Sequence, residues 1–267
     1  MSDQSGGLLK AKGISGREWS LRMVKTLTPA RKGGSVSTVA LVEDTNTGLR
    51  LCAKRQFGES EERLRKLIKE AALWKHAGVN AVAANDSIPG CVEIMSSEQD
   101  EKWPATIVQL HDCIVFNSEP QSVVYLMEYL PQPEFTNSLS EAQIFSIVRD
   151  VCSGLLLLYD AGVKAHGDLV MDHVQFGSDL RAKIGGFGDS RLRANENSPK
   201  DDISSLGLLV YELQFSKKPP AGLKTKKSSD FANNIPPESK SCSPKVLSLL
   251  KLLLHEHKKQ SLTMDAV

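Results

Sequence analysis

His166-Gly167-Asp168-Leu169 and, eighteen residues beyond Asp168, Gly186-Phe187-Gly188 stand in the second half of this 267-residue chain. His173 follows Asp168 by five residues, and position 186 offers no side chain at all. Helical periodicity brackets this stretch on both sides. Glu141, Ile144, Ile147, Val148, Val151, Leu155 and Leu158 fall at three- and four-residue spacing and predict a long helix, opened by Ser140 and Gln143 as a capping box. Leu206, Leu209, Val210 and Leu213 predict a second, buried helix from about Asp202, and residues 246–255 a third.

The first half has a different period. Trp19, Leu21 and Met23 alternate with polar residues, 36–43 is rich in β-branched residues, and 49–54 is mostly apolar. Asp44-Thr45-Asn46-Thr47-Gly48 is a turn signal, so the last two runs predict a hairpin. Leu64, Leu67, Ile68, Ala71 and Ala72 predict a helix over 61–76, and 107–116 and 122–129 two more strands. Residues 78 to about 105 are mixed in character and predict an insertion or irregular loop. Residues 1–17, rich in Gly and Ser, predict a flexible leader. Five strands with one helix, then a helical half, predict an α+β chain in two lobes, about 18–130 and 131–267.

The totals exclude several classes. Forty per cent hydrophobic and 24% charged residues describe a globular chain. The net charge of +1 supplies no global field for nucleic acid or acidic membrane, and the basic stretch 217–227 reads as a solvated loop. Cys52, Cys91, Cys113, Cys152 and Cys242 include no Cys-x-x-Cys pair, which argues for free thiols rather than disulfides or zinc. No apolar run approaches the ~20 residues that span a bilayer. The cytosol is the expected compartment, with the nucleus compatible.

Taken in order, these motifs resemble the catalytic domain of eukaryotic protein kinases of the serine/threonine type, from about residue 20 onward. Leu51-Cys52-Ala53-Lys54 is similar to the strand carrying the ATP-pairing lysine, and Glu70, sixteen residues further on, resembles its helical ion-pair partner. Residues 124–130 resemble the hinge between lobes, with Met127 at the gatekeeper position. Residues 202–213 resemble the buried helix that anchors the large lobe. The resemblance implies a bilobal kinase-like fold, with Asp168 at the catalytic-base position. It places Gly34, Val39, Ala53, Lys54, Glu70, Met127, Glu128 and Leu130 around a nucleotide. It also implies a stack of Trp74, Leu110, Phe187 and His166, with Asp202 beneath His166.

The departures from that family are specific. In protein kinases an asparagine five residues past the catalytic aspartate and the aspartate of Asp-Phe-Gly hold two magnesium ions. Here His173 and Gly186 stand in those places, and Val170 replaces the lysine two residues past Asp168. The three phosphate-loop glycine positions hold Lys32, Gly34 and Ser37. Gln175 falls where an apolar floor residue is expected, and no Ala-Pro-Glu lies between Gly186 and Asp202.

The expectation is a pseudokinase: a kinase-like domain without phosphotransfer, acting as a scaffolding or regulatory module. No metal site and no cofactor are expected, with ATP bound weakly or without metal if at all. Other proteins are the expected partners, through the Glu70 helix face or the 78–105 insertion, and neither nucleic acid nor membrane is. The alternatives are an atypical active serine/threonine kinase using ATP, for which Asp168, Lys54 and Glu70 argue, and a small-molecule kinase of the aminoglycoside or choline type, to which His-Gly-Asp-Leu is similar.

Overall fold

Period-two alternation becomes strand and three-four spacing becomes helix along the chain. A computed structural model describes residues 7–28, 37–79, 103–131, 139–190, 198–220 and 242–254. The chain divides into two compact units, Met1–Leu130 and Pro131–Val267. The class is α+β, with four α-helices among the described residues.

The first unit is an antiparallel sheet of β1 (Leu8–Lys12), β2 (Glu18–Thr28), β3 (Ser37–Asp44), β4 (Arg50–Phe57), β5 (Leu110–Phe116) and β6 (Ser122–Glu128). Their order is β1-β2-β3-β4-β6-β5. One face buries Trp19, Leu21, Val42, Leu51, Ile114, Val124 and Leu126 together. Helix α1 (Glu61–Val79) packs on β5 and β6. There the Tyr125 hydroxyl reaches the Leu67 carbonyl at 2.9 Å, and the Trp74 indole donates to the Val108 carbonyl at 2.7 Å. Of the 78–105 insertion, 80–102 lies outside the described residues. At its end the Trp103 indole donates to the Ile107 carbonyl at 2.9 Å.

The flexible leader expected over 1–17 is corrected from residue 7 onward. Leu8–Lys12 pairs with β2, and the turn that follows docks on β5, the strand at the far edge of the sheet. The Ile14 amide donates to the Cys113 carbonyl at 2.8 Å, so the sheet nearly closes on itself. Asp112 makes the closure. A bulge at His111 shifts the register between the Leu110–Met127 and Asp112–Leu126 pairs, which turns Asp112 onto the core face. There its buried carboxylate accepts from the Trp19 indole at 2.7 Å, the Cys113 amide at 2.8 Å, and both the amide and hydroxyl of Ser15. Gly13 is required at the contact, because a Cβ there would lie 1.9 Å from an Asp112 carboxylate oxygen. Composition hid this segment: Gly and Ser read as leader, whereas they form a turn clamped by a carboxylate from far along the chain.

The second unit holds α2 (Glu141–Asp160), the hairpin β7 (Val174–Phe176) and β8 (Ala182–Ile184), α3 (Ser198–Phe215) and α4 (Pro244–Leu254). Single 3-10 turns cover Met171–His173 and Phe187–Asp189. The expected capping box is present: the Ser140 hydroxyl accepts from the Gln143 amide, and the Gln143 side chain accepts from the Ser140 amide. Asp150, buried in α2, accepts from Arg181 Nε at 2.8 Å and the Ala182 amide at 3.2 Å, fixing β8 on the helix. By length and composition alone α2 is apolar enough to cross a membrane, as the core helix of a globular unit can also be, and half of that stretch is buried within the protein.

Replacing Asp112 by Ala strands the Trp19 indole and two amides without an acceptor. The expected loss is on the order of 3 kcal/mol, read from urea unfolding, with a change in Trp19 fluorescence; a loss below about 0.5 kcal/mol would remove Asp112 as the closure.

Candidate functional site

The helical pattern from Asp202 buries that residue and those that follow it in α3, and with it a carboxylate. That carboxylate accepts from the His166 amide at 2.7 Å, the Gly167 amide at 2.9 Å and the Tyr159 hydroxyl at 2.9 Å. Charge-assisted bonds to consecutive amides fix the loop backbone rather than any one side chain. His166 is fully buried. Its Nε2 donates to the Gly185 carbonyl at 3.0 Å and its Nδ1 accepts from the Asp168 amide at 3.3 Å. Those roles define a neutral imidazole, and burial pushes its pKa down against the pull of Asp202. The Phe187 ring, also buried, lies 5.4 Å from it. Ser190 donates to the His166 carbonyl at 2.9 Å, which ties both sequence motifs to one frame.

Asp168 projects from this frame with its side chain 42% exposed. Beside it, His173 Nδ1 lies 2.8 Å from the Asp168 carbonyl and therefore carries the proton it donates. The same nitrogen is 3.4 Å from an Asp168 carboxylate oxygen. The imidazole lies against Gly186. A Cβ built on Gly186 would meet His173 ring carbons at 2.4 Å, and Gly186 has φ +78°, in the left-handed region. The ring thus fills the space that a side chain at 186 would need.

Two outcomes follow from this geometry. Gly186→Asp alone should cost roughly 2–4 kcal/mol from overlap and backbone strain. Adding His173→Ala should restore part of it, a coupling of about 1 kcal/mol or more in a double-mutant cycle of chemical denaturation. The second concerns pH. The unfolded His166 takes its proton near about 6.5 and the folded one only lower, so below that value the unfolded state binds more protons. Stability should fall as pH drops through 6.5, and His166→Phe should flatten the slope of urea midpoints between about pH 7.5 and 5.5.

In the first unit the expected residues are placed as follows. Val39 on β3 is the cross-strand partner of Lys54 on β4, and Lys54 is in turn opposite Tyr125 on β6, so these three share a face. Met127 is buried opposite Cys52 on that same face. Glu128 accepts from the Gln109 amide at 2.6 Å and its own amide donates to the Gln109 carbonyl at 2.9 Å. Leu130 is half-buried at the end of the unit, and Gly34 lies outside the described residues. Three corrections arise. Ala53 packs against the Trp19 cluster on the opposite face from Lys54, because successive strand residues alternate; Cys52, two before Lys54, shares the lysine's face. No ion pair joins Lys54 to Glu70 among the described residues, and the Glu70 carboxylate takes a hydrogen bond from the Tyr125 hydroxyl at 3.1 Å. Glu70 is buried, so the exposed side of α1 is not the Glu70 face but that of Glu61, Glu62, Arg65, Lys66 and Lys69.

Sequence reasoning missed Tyr125 and Asp112. The signal for Asp112 was a lone carboxylate inside an apolar strand, which is stable only when paired. Nothing local marked Tyr125, whose partner is 55 residues away.

No protein-family model matches the chain. A 60-residue stretch, 22% of the chain, is 33% identical to the receptor-type guanylate cyclase gcy-14 of Caenorhabditis elegans. That match spans 5% of the cyclase's length.

Proposed function

We propose that this chain is a protein-kinase-like bilobal domain that no longer transfers phosphate and serves as a scaffolding or regulatory protein-binding module. One observation carries the reading: the His173 imidazole sits in the volume a side chain at 186 would need, with Nδ1 committed to the Asp168 carbonyl. Phosphoryl transfer is almost wholly positioning plus charge neutralisation by divalent cations. Magnesium asks for hard oxygen ligands in near-octahedral geometry. Position 186 supplies no side-chain donor, and position 173 supplies a ring whose Nδ1 already donates to protein. These residues do not fit the two ions. Each lost clamp removes about 10²–10³ in rate, and Val170 in place of lysine removes a further charge. Asp202 beneath the His166 and Gly167 amides supports the kinase-like frame. On this reading nucleotide is dispensable, and ATP binds weakly or without metal.

An atypical serine/threonine kinase is the second reading, favoured by the exposed Asp168 carboxylate. Melting temperature with and without ATP, each with and without magnesium, separates the two. A ligand at about 100 times its Kd stabilises by about 2.7 kcal/mol, several degrees. The expected result is no magnesium-dependent shift and no phosphate incorporated into protein acceptors. A magnesium-dependent shift accompanied by transfer that Asp168→Asn abolishes would overturn the proposal.

A further inference from the structure

Two arginines of the first unit lie over aromatic rings, and among the described residues one of the two meets a carboxylate. The Arg17 guanidinium sits 3.9 Å from the centre of the Trp19 ring and reaches the Asp44 carboxylate at 3.3 Å. Burial pushes the Asp44 carboxyl up, but the Thr47 hydroxyl, the Asn46 and Ser20 amides and Arg17 together hold it below its ordinary value. The arrangement is a stacked guanidinium completed by a carboxylate.

Arg55 repeats the first half of that arrangement. Its guanidinium lies 4.8 Å from the centre of the Phe57 ring and 5.6 Å from that of Phe116. Its Nε donates to the buried Ser122 hydroxyl at 3.0 Å. The two terminal nitrogens have neither a hydrogen-bond acceptor nor a carboxylate among the described residues. Arg55, Phe57 and Phe116 are all half-buried, so the charge is partly desolvated while the site stays open to solvent. A partly buried charge without a counter-charge carries a desolvation cost that a partner anion offsets. The rings and Ser122 hold the fork in one orientation, so little freedom is lost when two parallel N–H groups meet one carboxylate.

We infer that the Arg55–Phe57–Phe116 surface of the sheet is a docking site for an acidic segment of a partner protein, a carboxylate flanked by apolar side chains. The carboxylate completes Arg55 as Asp44 completes Arg17, and the apolar neighbours cover the two phenyl rings. Arginine and aromatic residues are the types that concentrate binding energy at protein interfaces. This site lies on β4, β5 and β6 and holds whether or not the chain transfers phosphate.

The test uses the full chain: affinities in every variant are read by titration calorimetry, and in the unsubstituted chain also by the Arg55 Nε–Hε resonance, assigned by its loss in Arg55→Lys. The probe is a blocked pentapeptide alternating leucine and glutamate; the controls are the same peptide with glutamine and inorganic phosphate. The expected result is a saturable shift with the glutamate peptide, at least about tenfold weaker binding of the glutamine peptide, and a similar loss in Arg55→Lys, which keeps the charge but not the fork. Phe116→Leu should weaken the peptide without abolishing the response to carboxylate. Equal binding of the glutamine peptide, unchanged affinity in Arg55→Lys, or phosphate binding more tightly than the peptide would each overturn the proposal. The glutamate-to-glutamine comparison needs no mutation, so a poorly folded variant does not spare it.

Discussion

Two consecutive backbone amides, those of His166 and Gly167, converge on the buried Asp202 carboxylate. Helix α3 is buried along the residues that follow, so the carboxylate is a fixed point and the loop takes its position from it. A buried carboxylate without donors would cost several kcal/mol, which means that the loop and the helix fold together or not at all. His166 adds a second tie through its ring to Gly185, and Ser190 a third to the His166 carbonyl. Asp168 and His173 inherit their spacing from this frame. The short bond between His173 and the Asp168 carbonyl is its result rather than its cause.

Within that frame the residues at 173 and 186 are matched in volume. A glycine at 186 removes volume, and the imidazole at 173 restores it. Interiors are packed at the density of organic crystals, so a vacated position is stable when a neighbour fills it. The positive φ of Gly186 adds a reason for glycine that has nothing to do with ligands.

How far the sequence disclosed this arrangement depended on the range of each signal. Strands β3 and β4, the turn at 44–48 and the Ser140–Gln143 capping box were legible because their partners sit within a few residues. Helix α1 was legible from the spacing of Leu64, Leu67 and Ala71. The face on which Ala53 lies was misassigned although parity alone settles it: a residue adjacent to Lys54 points the other way. The Lys54–Glu70 pairing was inferred by resemblance, whereas the hydroxyl that donates to the glutamate comes from Tyr125, on another strand. Long-range capture also explains the misread leader, since the Ser15 side chain meets a carboxylate 97 positions later.

That capture sets a limit on how the chain can be divided. A cut at residue 18, the expected start of the first lobe, would fall inside the folded body. It would leave Trp19 and the Cys113 amide as donors to Asp112 while removing both from Ser15, and would bare the Cys113 carbonyl at the rim of β5. The rim would then present an unpaired strand beside an under-satisfied charge, a combination that invites aggregation. The working boundary of the first unit lies ahead of Leu8.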